Sequence, residues 1–141
     1  GAGLYTRDRY DNFTLRLEWK IANKGNSGLY LRAPRCNRQS WTGMEFQLQD
    51  DHGEPRDMFT TGAVYSAVPA AVDATKPAGE WNEVEITLNG PLMKAVLNGQ
   101  VVQDINLDNN PELKPRLRKG FIGLQDHACK VWFRNIRVKK L

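Results

Sequence analysis

Only two cysteines, Cys36 and Cys129, occur in the 141 residues. They allow one internal disulfide at most, and the spacing leaves open whether they meet. There is no CxxC pair and no His/Cys cluster, which excludes a structural zinc site of the usual kind. Histidine is equally sparse, with His52 and His127 alone, each beside a carboxylate. No apolar run approaches the roughly 18 residues needed to span a bilayer. The opening Gly1-Ala2-Gly3-Leu4-Tyr5 stretch has no signal-type apolar segment. Charge of one sign is also lacking: 20 Lys+Arg stand against 16 Asp+Glu, and a net +4 is too small to argue for a polyanionic partner. The 3.6-residue period is missing as well, so no helix of useful length is expected. What remains is ordinary globular composition, 40% hydrophobic and 26% charged, of a length that suits a single domain over 1–141.

A period of two is what the sequence does have. Phe13-Thr14-Leu15-Arg16-Leu17-Glu18-Trp19-Lys20-Ile21 alternates without exception, the pattern of an antiparallel strand with one buried and one wet face. Leu29 and Leu31 flank Tyr30. Met44, Phe46 and Leu48 alternate with Glu45, Gln47 and Gln49, and Val84, Ile86 and Leu88 with Glu85 and Thr87. Asn98-Gly99 predicts a two-residue type I′ hairpin, Asn89-Gly90-Pro91 predicts a break, and 83–105 becomes a three-strand meander. Gly25-Asn26-Ser27-Gly28 reads as a turn. Val131 and Phe133 keep one parity and Ile136 and Val138 the other, so a bulge at Arg134-Asn135 would return both pairs to the core. Eight or nine strands without helices mean an all-β sandwich or barrel.

Several motifs carry a resemblance over essentially the whole chain. They are Asn26-Ser27-Gly28-Leu29-Tyr30-Leu31-Arg32, Gly43-Met44-Glu45-Phe46-Gln47-Leu48-Gln49-Asp50, Thr61-Gly62-Ala63-Val64-Tyr65, Lys76-Pro77-Ala78-Gly79-Glu80-Trp81-Asn82, Gly123-Leu124-Gln125-Asp126-His127 and Phe133-Arg134-Asn135-Ile136. In this order they resemble the 3-keto-disaccharide hydrolase domain family. The resemblance implies a concanavalin-like jelly-roll sandwich of two antiparallel sheets with a concave, sugar-holding face. It also implies several dozen upstream residues, an opening strand among them, that are not seen ahead of Tyr10-Asp11-Asn12-Phe13. A bacterial envelope or secreted location is implied on the same ground.

Strand parity names the candidate site. With Leu29 and Leu31 inward, Tyr30 and Arg32 face outward. Glu45, Gln47 and Gln49 make a second outward row, Ala63 and Tyr65 a third, and Gly123, Gln125 and His127 a fourth. Such rows are what any half-solvated sheet shows; the jelly-roll resemblance is what gathers them on one face. The expected substrate-binding residues are Tyr30, Arg32, Gln47, Tyr65, Gln125 and Lys76, the last from a loop that closes over the cleft. Trp41, in a polar loop, is the best candidate for an exposed stacking ring. Asp50 and Asp126 share the core parity but end their strands, so they belong to loops. Asp50-Asp51-His52 offers oxygen ligands for a divalent metal, without the spacing of any established loop.

The acids on these rows decide between mechanisms. A conventional glycosidase needs two carboxylates across the scissile bond, and here Glu45 stands alone where Gln47 occupies the place of a second acid. The resemblance implies a different route: a ketone at C3 acidifies the C2 proton, and the glycosidic bond breaks by elimination followed by hydration. Glu45 and His127 are the expected base and acid, in either order, with Arg32 and Gln47 on the enolate oxygen. No cofactor is assigned, and a divalent metal could replace part of the donor set. The alternative is a non-catalytic carbohydrate-binding module. A nucleic-acid partner is not expected, because Arg116, Arg118, Lys119, Lys130, Arg134, Arg137, Lys139 and Lys140 lack any accompanying recognition motif and read as a solvated basic edge.

Overall fold

The computed structural model describes residues 3–141. Nine strands lie along these residues: β1 (Gly3–Tyr5), β2 (Phe13–Ile21), β3 (Asn26–Ala33), β4 (Met44–Gln49), β5 (Asn82–Asn89), β6 (Leu92–Leu97), β7 (Gln100–Asn106), β8 (Phe121–Gln125) and β9 (Val131–Lys140). A single-turn helix, α1 (Gln39–Thr42), joins β3 to β4. The strands form two antiparallel sheets, β1-β8-β3-β4 and β7-β6-β5-β2-β9. This is the two-sheet jelly-roll sandwich that the family resemblance implies, within the all-β class that the period-two pattern predicts.

The alternation is the cause. In β2 every odd residue from Phe13 to Ile21 is buried, and each even one is exposed or half-buried. Leu15, Leu17 and Trp19 meet Leu29, Leu31, Met44, Phe46 and Leu48 of the opposite sheet in one core. Asn98 (φ 49°) and Gly99 (φ 82°) both adopt the left-handed conformation that the type I′ hairpin demands. The meander runs Asn82–Asn106, and β3 begins at Asn26, inside the stretch read as a turn.

Two parity expectations need correction. Asn135 has φ 54°, and the β2–β9 register skips from Arg16↔Arg137 to Glu18↔Arg134, so the bulge is there. It does not return both pairs to the core. Val131 and Phe133 pack against it, whereas Ile136 and Val138 stay exposed on β9, the edge strand of its sheet. Arg32 is the second case. Its φ of 49° and the β3–β8 register shift between Tyr30 and Ala33 place a bulge at this residue, so Tyr30 and Arg32 do not share a face. Gly43 packs against the Arg32 carbonyl there, leaving no room for a side chain.

Candidate functional site

The outer face of the four-stranded sheet is organised in transverse rows. Strand pairing sets Tyr5 against Gly123, Gly123 against Tyr30, and Tyr30 against Glu45. Tyr65 extends this row beyond β4, its backbone N–H donating to the Glu45 carbonyl (2.9 Å). The neighbouring row holds Gln125 opposite Gly3, and Gln47 opposite Gly28. Asn26 pairs with Gln49 one step further along.

Glycine makes the floor of this face. A Cβ at Gly28 would fall on the Glu45 carboxylate, and one at Gly123 would stand 2.7 Å from the Tyr5 ring. The Tyr5 and Tyr30 rings lie nearly parallel, 6.0 Å apart. Glu45 is 2% exposed and Gln47 3%, so these outward residues lie low among their neighbours. Burial pushes the Glu45 carboxyl up to about 7, against the hydrogen bond donated by Ser40 Oγ (2.5 Å). Burial, with Glu45 adding, pushes the Tyr30 phenol up to about 12, leaving it a protonated donor at neutral pH. Gln47 Nε2 reaches Asn26 Oδ1 (3.4 Å) and Gln49 Oε1 (3.3 Å). The other amide atom, Gln47 Oε1, is buried without a partner, and so is Gln125 Oε1. Beside them, Tyr30, Gln125, Asp126, His127 and Ala128 line an open depression of about 470 Å³.

The structure thus gathers Tyr30, Glu45, Gln47, Tyr65 and Gln125 on one face. His127 joins them at the exposed rim, on the Asp126–Lys130 loop. Two expected residues lie elsewhere. The bulge turns the Arg32 guanidinium away from this face, where it donates to Asp11 O (2.7 Å), Gly90 O (2.9 Å) and Asn12 Oδ1 (3.2 Å); it is a buried brace and is withdrawn from the site. Lys76 lies with Glu18, Trp81 and Arg134 around a hollow of the other sheet, so its loop does not close over the face. Arg116 likewise leaves the basic edge: it is buried, holding Ser40 O (2.6 Å) and Gly43 O (3.0 Å).

The acids follow suit. Asp50 accepts from the Lys24 N–H (2.8 Å), and Asp126 caps its own turn at the Ala128 N–H (3.0 Å). Asp51 spends both oxygens, on the Thr61 N–H (2.7 Å) and on Arg56 (3.1 Å). Asp50-Asp51-His52 therefore does not present a ligand set, and among the described residues no three His, Cys, Asp or Glu side chains converge as metal ligands. Cys36 and Cys129 are unpaired; the Cys129 thiol bonds Asn26 O (2.7 Å), tying the His127 loop to β3.

Four contributors escaped the sequence reading: Tyr5, Asn26, Gln39 and Ser40. Three consecutive residues of α1 serve the face, Gln39 Nε2 donating to the Tyr5 hydroxyl (2.7 Å), Ser40 bonding Glu45, and Trp41 meeting the Tyr65 ring edge-on. A four-residue helix leaves no periodic signal, and only the polar run Asn37–Ser40 ahead of the Glu45 strand hinted at it.

Known proteins resemble this chain in sequence and fold. A protein of Bacteroides thetaiotaomicron described as a 3-keto-disaccharide hydrolase is 28% identical over an alignment of 181 positions covering all of this chain. The chain spans 62% of that relative's length. A crystal structure of a candidate glycosyl hydrolase from Parabacteroides distasonis superposes with a TM-score of 0.90 at 28% identity, covering 99% of this chain and 83% of that one. The carbohydrate-binding module CBM66 of Bacillus subtilis shares the fold, with a TM-score of 0.70 at 15% identity over 96% of this chain and 80% of its own. The 3-keto-alpha-glucoside-1,2-lyase-like domain matches residues 1–139, and the chain belongs to that family.

Proposed function

We propose that this domain cleaves the glycosidic bond of 3-keto-glycosides, by C2 proton abstraction, elimination and hydration. The observation that carries the reading is one carboxyl, Glu45, with its pKa raised to about 7, on the face that also holds two buried amide oxygens without partners, Gln47 Oε1 and Gln125 Oε1. Orphaned buried acceptors call for an explanation, and sugar hydroxyls are donors of the right kind. A group near pH 7 suits proton transfer in either direction.

In this scheme Glu45 takes the C2 proton and the electron pair moves to the C3 ketone oxygen as an enolate. The protonated Tyr30 phenol faces that oxygen, in place of the withdrawn Arg32, while the unpartnered Gln47 amide oxygen accepts from a sugar hydroxyl. Collapse of the enolate expels the glycosidic oxygen from C1, which takes a proton from His127. The alcohol leaves with a 1,2-enone behind. Water then adds at C1 and C2 regains a proton, giving the free 3-keto sugar. The net change is hydrolysis. No step needs a second carboxylate, in keeping with Asp50, Asp51 and Asp126 being engaged elsewhere.

The test is cleavage of a 3-keto-glucoside in D2O. Wild-type product should carry deuterium at C2, and Glu45→Gln should lower kcat by about 10²–10⁴-fold. Product without C2 deuterium, or unchanged rates in both Glu45→Gln and His127→Gln, overturns the assignment. The low exposure of Glu45 favours a second reading, a module that holds sugars without cutting them. Calorimetry separates the two, because a plain binder has no reason to prefer the ketone over the intact glycoside.

A further inference from the structure

The molecule has aromatic clusters on both sheets, and they differ in what covers them. On the five-stranded sheet Lys20 lies 4.7 Å from the Trp132 ring centroid, and Arg134 lies 3.8 Å from that of Trp81. Those π-faces already hold cations. Beside Glu45 the situation is different. Trp41 and Phe59 are each 46% exposed, and both meet the Tyr65 ring edge-on, at 6.1 and 5.4 Å between centroids. The three rings make a continuous ledge; the buried Arg116 lies over the Trp41 ring at 6.0 Å with Trp41 still exposed beside it, and among the described residues no cation lies over Phe59 or Tyr65.

The ledge is built to stay exposed. Arg56 bonds Asp51 (3.1 Å), and the Phe59 N–H is held by Asp57 Oδ1 (2.7 Å). Gln103 Nε2 reaches the carbonyls of Gly62, Val68 and Pro69, fixing the loop that carries Tyr65. Arg116 clamps both ends of the Trp41 turn. These bonds hold the backbone that carries the rings in place, and such preorganisation favours a ligand that covers them. Position names the ligand. Tyr65 is paired with Glu45 through the backbone, and Trp41 follows Ser40, the donor to Glu45 Oε1. The far side of Glu45 holds the polar hollow of Tyr30, Gln125 and His127.

We propose that Trp41, Phe59 and Tyr65 form a stacking subsite for a second sugar ring, on the leaving-group side of the scissile bond. The assignment rests on the sugar-acting reading of the face and adds its polarity: the ketone-bearing ring lies over the polar hollow, its neighbour over the ledge. A pyranose offers one flat face of C–H groups, the complement of an exposed indole. The domain therefore selects disaccharides and other bulky glycosides over short alkyl ones.

Calorimetric titration with gluco-disaccharides and with methyl glucoside tests this without requiring cleavage. Wild type should bind at least one disaccharide about tenfold tighter than methyl glucoside, the gain expected from covering one ring face. Trp41→Ala should abolish that preference and Trp41→Phe should retain most of it. Phe59→Ser, at an exposed position, supplies the same readout if Trp41→Ala fails to fold. Equal affinity of wild type for both sugars, or a preference that survives Trp41→Ala and Phe59→Ser, overturns the subsite alone. Absence of binding to any sugar, ketone forms included, overturns the sugar-acting reading and the subsite together.

Discussion

A carboxyl that is 2% exposed carries a negative charge at a cost, and Glu45 should register that cost in the stability of the whole domain. Its folded value of about 7 lies above the ordinary 4.5 of a free glutamate, so its contribution is complete below pH 4.5 and is lost as pH rises through 7. Across that window the loss is on the order of 3 kcal/mol. Denaturation at a series of pH values should show wild type falling and Glu45→Gln nearly flat over pH 5–8. Ser40 opposes the shift by bonding the charged form. Ser40→Ala should therefore move the neutral inflection of kcat/KM to higher pH, and an unmoved profile would show that Glu45 does not set it. Arg32 gives the converse case. With three hydrogen bonds to Asp11, Asn12 and Gly90, Arg32→Ala should destabilise by about 3 kcal/mol, with sugar affinity of the folded protein retained. The residue was misread in sequence because Leu29-Tyr30-Leu31-Arg32 alternates perfectly. Nothing in those four residues announces a positive φ at the last one, which the close approach of Gly43 accompanies.

At the scale of elements, the floor and the lid of the face have different origins. Gly28 lies in β3 directly under the Glu45 carboxylate, so Gly28→Ala should displace that group and destabilise by about 1–3 kcal/mol. Activity should fall as in Glu45→Gln, while melting shows the fold retained. The outward rows of β4 and β8 were legible because strand parity alone places Glu45, Gln47 and Gln125. Their gathering on one face was not, since it depends on which strands become neighbours. Here β8 inserts between β1 and β3 from almost a hundred residues away in sequence. Lys76 shows the limit of such reading: a loop's composition says nothing about which sheet it accompanies, and this one borders Glu18 and Arg134. The lid, α1, was invisible to periodicity because a single turn has no period.

For the molecule as a whole, the sandwich is sealed along one side and open along the other. Leu17 in the core is 1% exposed, whereas Leu4 is 71% exposed at the β1 edge, where Ile136 of β9 lines the same apolar hollow. Leu17→Ala should cost about 2–5 kcal/mol, and Ile136→Thr should stay within about 0.5 kcal/mol of wild type. Chemical denaturation of the two variants checks the contrast. A large loss in Ile136→Thr would mean that this side is covered in solution. The all-β character was legible from strands and turns, which leave a sandwich and a barrel both open, and the two-sheet jelly roll came with the family resemblance; the bulge of β9 falls where alternation puts it, but Ile136 and Val138 are not buried by it. The single turn α1 touches Tyr5, Glu45 and Tyr65 through three successive residues. In evolutionary terms that makes Gln39–Thr42 pleiotropic: one insertion there shifts acidity, polar anchoring and ring recognition together, so new preferences in descendants of this sequence must arise by substitution in place.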